Sequence, residues 1–135
     1  MDHLPTSQAL SFTAADSTVP AIRRWVSIVI GELGRHDRRS DAELIISELA
    51  TNAVKAAPGK LIKVMVTRDG AESILSVWDP HPELPEMQPD PLADLDNDDF
   101  ERNGGRGLLL VLSAAIDWGC TPTPDQGGKW VWARI

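Results

Sequence analysis

The sequence predicts an α+β two-layer sandwich: one mixed, mostly antiparallel sheet with its helices on one face. Three observations carry this expectation. Two segments in the N-terminal half repeat apolar residues at helical spacing. Two alternating segments joined through Asp69-Gly70 follow. A short helical stretch and two further strand-like segments close the chain. The implied order is β-α-α-β-β-loop-α-β-β, and helices grouped on one face of a largely antiparallel sheet make two layers. With 135 residues, 42% of them hydrophobic and 24% charged, the whole of 1–135 reads as one globular domain with a real core.

Each element has its own warrant. A short strand is expected over 9–13, Ala-Leu-Ser-Phe-Thr. Pro20 suits a first helical turn, and Ile22, Trp25, Val26, Val29 and Leu33 then mark one face of a helix that stops at Gly34. Ser40-Asp-Ala-Glu43 has the spacing of a capping box and opens a second helix over 41–57, ended by Pro58-Gly59. Its expected buried stripe is Leu44, Ile45, Leu49, Ala53 and Ala57. Ile62, Val64 and Val66 alternate with Lys63, Met65 and Thr67, residues 73–78 alternate similarly, and Asp69-Gly70 is a hairpin turn signal. Leu108, Val111, Leu112 and Ala115 mark a third helix. Strands over 116–121 and 129–135, with a turn through Pro124-Asp-Gln-Gly-Gly128, end the chain.

The net charge of −7 is unevenly placed. Residues 79–101 hold nine of the 20 acidic groups, five of the ten prolines and no Lys or Arg, which predicts a mobile loop there. The remainder carries 13 basic and 11 acidic groups, with no basic stripe of the kind nucleic acid requires. No apolar run reaches the ~18 residues of a membrane span, and the N-terminus lacks the pattern of a signal peptide. The single cysteine, Cys120, has no partner for an internal disulfide. The expectation is a cytoplasmic protein with no membrane segment and no direct nucleic-acid contact.

Three features could carry chemistry. Glu48 and Asn52 are four residues apart, on one face of the second helix. Asn offers a neutral oxygen to a hard cation such as Mg²⁺, and Glu can take a proton from a group attacking phosphate; a solvated polar face is the alternative. Asp79 follows a strand, where a carboxylate can accept an adenine amine that guanine's carbonyl could not replace; an Asp opening a turn before Pro is the alternative. Gly104-Gly105-Arg106-Gly107 leads directly into Leu108 and a helix, so glycine backbone and helix N–H groups can approach a phosphate. It is neither a P-loop nor a dinucleotide fingerprint. His3, His36 and His81 lack metal-ligand spacing. Trp118, Trp130 and Trp132 read as sheet packing, and Lys55 as a solvated lysine or a phosphate contact.

Taken together these motifs resemble the gyrase/Hsp90/histidine-kinase/MutL ATPase superfamily, the Bergerat fold. Glu48-Leu-Ala-Thr-Asn-Ala-Val54 is similar to its N box, Val77-Trp-Asp-Pro-His-Pro-Glu-Leu-Pro85 to its first glycine box, and Gly104-Gly-Arg-Gly-Leu-Leu-Leu-Val111 to its second. Trp118-Gly119 and Gly128-Lys-Trp-Val-Trp-Ala133 resemble the branch of anti-sigma-factor serine/threonine kinases. The match runs from about residue 10 to the end. The resemblance implies ATP and Mg²⁺ as cofactors, Asn52 as metal ligand, Glu48 as general base and Asp79 as the adenine contact. It makes Gly104, Gly105, Arg106, Gly107 and Leu108 the phosphate-binding segment and residues 86–103 an ATP lid. The implied partners are a sigma factor and a small anti-anti-sigma antagonist, with a homodimer common in the family. This chain departs from the pattern at three places. Ala56 replaces a His frequent four residues after the Asn, prolines replace the glycine after Asp79, and Trp130 stands on the last strand where many members have a Thr near adenine.

The resulting expectation is a protein kinase that phosphorylates the antagonist. The alternative is a non-catalytic module that grips its partner when ATP is bound. A sensor histidine kinase fragment, suggested by His36-Asp-Arg, lacks the paired dimerisation helices before that point.

Overall fold

The computed structural model describes residues 7–83 and 108–135. Over these, β1 (Ser7–Thr13) leads to α1 (Thr18–Glu32), a 3₁₀ turn (His36–Arg38) and α2 (Arg39–Ala56). The hairpin β2 (Leu61–Asp69) and β3 (Glu72–Asp79) follows. A short α3 (Leu108–Leu112) then precedes β4 (Asp117–Thr123) and β5 (Gly128–Arg134). The expected α+β architecture is present, and so is the expected element order. The expected lid, residues 86–103, lies outside the described residues.

The five strands form one sheet in the order β1-β2-β3-β5-β4. All four pairings are antiparallel, so the sheet is not mixed. β3 is central because its side chains are apolar and small on the helix side, with Leu75 and Val77 buried between Val64 and Val66 of β2 and Val131 and Ala133 of β5. Ile22, Val26, Val29 and Ile30 of α1 and Ile45, Ile46, Leu49 and Ala53 of α2 complete this core. Burying such side chains stabilises the fold by about 1.5–3 kcal/mol each. The opposite face carries Trp78, Trp130 and Trp132, with Lys63 Nζ 5.0 Å from the Trp78 ring centre.

The turns follow local chemistry. Gly34 takes φ 77° after α1 and Gly59 φ 79° after α2, conformations that a glycine adopts without steric cost. In the hairpin, Asp69 pairs with Glu72, and the two-residue loop Gly70-Ala71 has only Gly70 at positive φ (63°), as a II′ turn requires. The Pro124–Gly128 turn closes by Gly127 N–H donating to Thr123 O at 2.8 Å.

Three local expectations are corrected. Ser40 caps nothing, because α2 starts before it at Arg39. The start is set by arginines instead: Arg38 bridges Asp41 at 3.1 Å, and Arg39 donates twice to Ser27 Oγ on α1, at 3.1 and 3.0 Å. Leu44 is 43% exposed, so the buried stripe of α2 runs through Ala42, Ile45, Ile46, Leu49, Ala50 and Ala53. The third helix is one turn and a half, ending at Leu112, with Ala114 and Ala115 already in turns.

Candidate functional site

Glu48 and Asn52 lie one turn apart on α2. α1 holds this helix from one side through Arg23 Nε, which donates to Ser47 Oγ at 2.7 Å. Ser47 and Thr51 hydroxyls return hydrogen bonds to the carbonyls of Glu43 and Ser47, each at 2.6 Å. Arg23 Nε and the Ser47 and Thr51 hydroxyls are therefore engaged within the helix pair. Glu48 differs from an ordinary surface glutamate: it is 8% exposed. Burial raises its pKa above the ordinary 4.5, and the Lys55 ammonium opposes the shift. Asn52 is half-buried. A carboxyl sheltered beside an amide is consistent with a base next to a hard-cation ligand. A solvated face is not what this arrangement shows for Glu48.

Asp79 ends β3, buried at 3% exposure. Its position follows from the register: β2 starts just after α2 ends, and Lys63 near that start pairs with Trp78. The end of β3 is thus at the end of the sheet where α2, with Asn52 in its final turns, finishes. α2 packs against β3.

At Asp79 the structure contains an ion pair that the sequence reading missed. Lys129 Nζ donates to Asp79 Oδ1 at 2.9 Å and to His81 O at 2.9 Å. His81 N–H donates to the same Oδ1 at 2.8 Å, an Asx-type turn, so Asp79 does initiate a turn as well as face Lys129. Lys129 is 2% exposed. A buried ammonium persists only with such partners, and removing one typically costs about 3–5 kcal/mol. Cys120 lies near the pair. Burial raises its thiol pKa, Lys129 opposes this and Asp79 reinforces it. The expected departure at Trp130 is also relocated. Trp130 pairs with Trp78 on the far face, and Lys129 is the last-strand residue beside Asp79. A sequence signal for Lys129 existed, since it is in phase with Val131 and Ala133, both buried.

The glycine turn Gly104, Gly105, Arg106 and Gly107 lies outside the described residues. Leu108, which follows it, is buried at the start of α3, which packs on α2. No group of three or more His, Cys, Asp or Glu able to hold a metal occurs among the described residues. The oxygens that Glu48 and Asn52 present one turn apart on α2 are donors of the kind a hard cation such as Mg²⁺ takes, an ion that keeps its waters and needs few protein ligands. A cleft lined by Asp16, Val19, Pro20, Arg23, Thr51, Val54 and Lys55 opens between α1 and α2, and Asp79 is not among its lining residues. No described helix is long and apolar enough to cross a membrane.

Comparison with known proteins places the fold. No curated protein matches the chain. Among solved structures, a chain of the SiaB–SiaC complex from Pseudomonas aeruginosa superimposes with a TM-score of 0.57. Identity is 12%, over 95% of this chain and 88% of that one, a likeness of fold. A model of the histidine kinase-like ATPase domain matches residues 12–135, spanning every described element but the first part of β1. The chain belongs to the histidine kinase-like ATPase domain family.

Proposed function

We propose that this domain binds ATP with Mg²⁺ and is a regulatory protein serine/threonine kinase. In this reading it holds a sigma factor and phosphorylates a small anti-anti-sigma antagonist. The observation that carries the reading is the sheltered Glu48, whose raised pKa makes it a better proton acceptor than a surface carboxylate, one turn from Asn52. Asn52 would hold the Mg²⁺, which when bound neutralises phosphate charge. Asp79 would accept the base amine, and the segment 104–108 would line the phosphates. In the transfer, a serine or threonine oxygen of the antagonist bonds to the γ-phosphorus. The bond from that phosphorus to the β–γ bridging oxygen breaks, ADP leaves, and the hydroxyl proton passes to Glu48. Most of the catalysis is positioning and charge neutralisation. The similar fold in a complex of two proteins supports a partner-binding role.

The test is incubation with γ-labelled ATP and candidate antagonists. Transfer to one of them is expected, and Glu48→Ala should lower it roughly 10²–10⁴-fold with nucleotide affinity kept. Absence of transfer to every candidate while ATP still binds counts against a kinase. The alternative, a non-catalytic ATP-sensing module, is favoured by one observation: Asp79 is already engaged by Lys129 and His81. Such a module keeps its regulatory effect in Glu48→Ala.

A further inference from the structure

We propose that the outer edge of β1 is where a second copy of this chain docks. The two β1 strands pair antiparallel about Leu10, and two five-stranded sheets become one.

β1 is an end strand, paired on one side only, with β2. Along an antiparallel strand, alternate residues turn their backbone groups toward one neighbour and then the other. Ala14 N–H donates to Lys60 O at 2.8 Å, one step beyond the pair Thr13 and Leu61, so the even-numbered residues of β1 bond to β2. The N–H and C=O groups of Ser7, Ala9, Ser11 and Thr13 therefore point away from the sheet, and no described strand pairs with that side. Thr13 O accepts the Thr18 hydroxyl at 2.6 Å and has a second lone pair to offer.

The two edges of the sheet are not alike. β4 carries Asp117 and Pro122, a charge and a residue without an N–H, both of which discourage pairing. β1, Ser-Gln-Ala-Leu-Ser-Phe-Thr, has neither a charge nor a proline, and its register with β2 runs without a bulge from Ser7 to Thr13. A two-fold axis through Leu10 sets Ser7 opposite Thr13, Ala9 opposite Ser11 and Leu10 opposite itself. This register pairs odd residues with odd residues, so each outward group meets a partner. No like charges face each other. Leu10, 44% exposed in the single chain, is covered by its own copy. Leu61, which pairs with Thr13, is exposed, and so is Ile28 on α1, the helix that packs on β1 and β2. They add apolar surface on the elements next to this edge.

Light scattering from the full chain at roughly 100 µM, followed by dilution, tests this. A mass of twice 14.7 kDa is expected. Ala9→Pro removes one outward N–H and leaves the bonds to β2 intact, and Leu10→Lys sets two like charges opposite each other. Each should raise the dimer dissociation constant roughly tenfold or more. A non-hydrogen-bonded antiparallel pair holds its Cα atoms about 4.5 Å apart, within the reach of a disulfide. With Cys120→Ser as background, Leu10→Cys should therefore cross-link to a dimer under oxidised glutathione, whereas Gln8→Cys, two residues from the axis, should not. A wild-type monomer at that concentration overturns the proposal. So does a dissociation constant unchanged in folded Ala9→Pro and Leu10→Lys. If both variants fail to fold, the cross-link decides: equal cross-linking of Leu10→Cys and Gln8→Cys, or none of either, overturns it. None of these readouts depends on nucleotide, so the outcome stands apart from the function proposed above.

Discussion

Glu48 is kept from water on a helix surface, and its carboxyl takes up a proton at higher pH in the folded chain than in the unfolded one. Between the ordinary value of 4.5 and the raised folded value, the native state binds more protons than the unfolded state. The slope of stability with pH is then negative, so stability is lost as pH rises through this window. Glu48→Gln removes the buried charge. We predict that near pH 7 the variant is more stable than wild type, and that the difference closes below pH 4.5. Urea titrations at the two pH values would measure it; a wild type that is the more stable protein near pH 7 would refute the assignment. A buried carboxyl that lowers stability in its charged form is compatible with the proton-acceptor role proposed for Glu48. Asp79 and Lys129 show another solution, two buried charges each answering the other.

At the scale of elements, the sheet depends on two glycines that lie under tryptophans. A Cβ at Gly119 would fall 2.7 Å from Trp132 Cζ2, a ring that can turn. At Gly128 the nearest atom is the Asp79 carbonyl oxygen at 2.2 Å, which belongs to the central strand and cannot turn. Gly128→Ala should therefore destabilise by about 3 kcal/mol and Gly119→Ala by about 1 kcal/mol. Thermal unfolding of both variants checks the order, and equal losses would contradict it. Gly128→Ala would also move Lys129 relative to Asp79, so it tests the join of β3 and β5 on which the site rests. Trp78 Nε1 donating to Thr123 Oγ1 at 3.0 Å ties the same corner from the opposite face.

For the molecule as a whole, one core joins both layers: α1 and α2 pack on each other and share the apolar face of the sheet. We predict a single cooperative unfolding transition. Helix content followed by far-ultraviolet circular dichroism and the environment of the five tryptophans followed by fluorescence should give coincident curves. Trp25 packs against the core from α1, while Trp130 and Trp132 sit on the far face of the sheet. Separated curves would mean that helices and sheet are independent units, contrary to a single domain.

Much of this was legible along the chain. Apolar spacing is a local property, so α1, α2 and the β2–β3 hairpin could be read from Ile22 to Leu33, from Ile45 to Ala53, and from the alternation around Asp69-Gly70. Glu48 and Asn52 were legible for the same reason, because helical spacing alone puts them together. Contacts between distant residues were not. Ser40 looks like a cap, but Arg38 and Arg39 start α2 earlier through partners elsewhere in the fold. Leu44 looks apolar and is left outside because α2 presents a different arc to the sheet. Lys129 looks like any strand lysine. Only the pairing of β5 with β3, 50 residues apart, brings its ammonium onto Asp79. The sequence by itself determined the fold class, the element order and which residue types were available to the site. The tertiary structure decided which of them are buried and which charge answers which, because burial and long-range pairing are properties of the packed sheet and not of any stretch of chain.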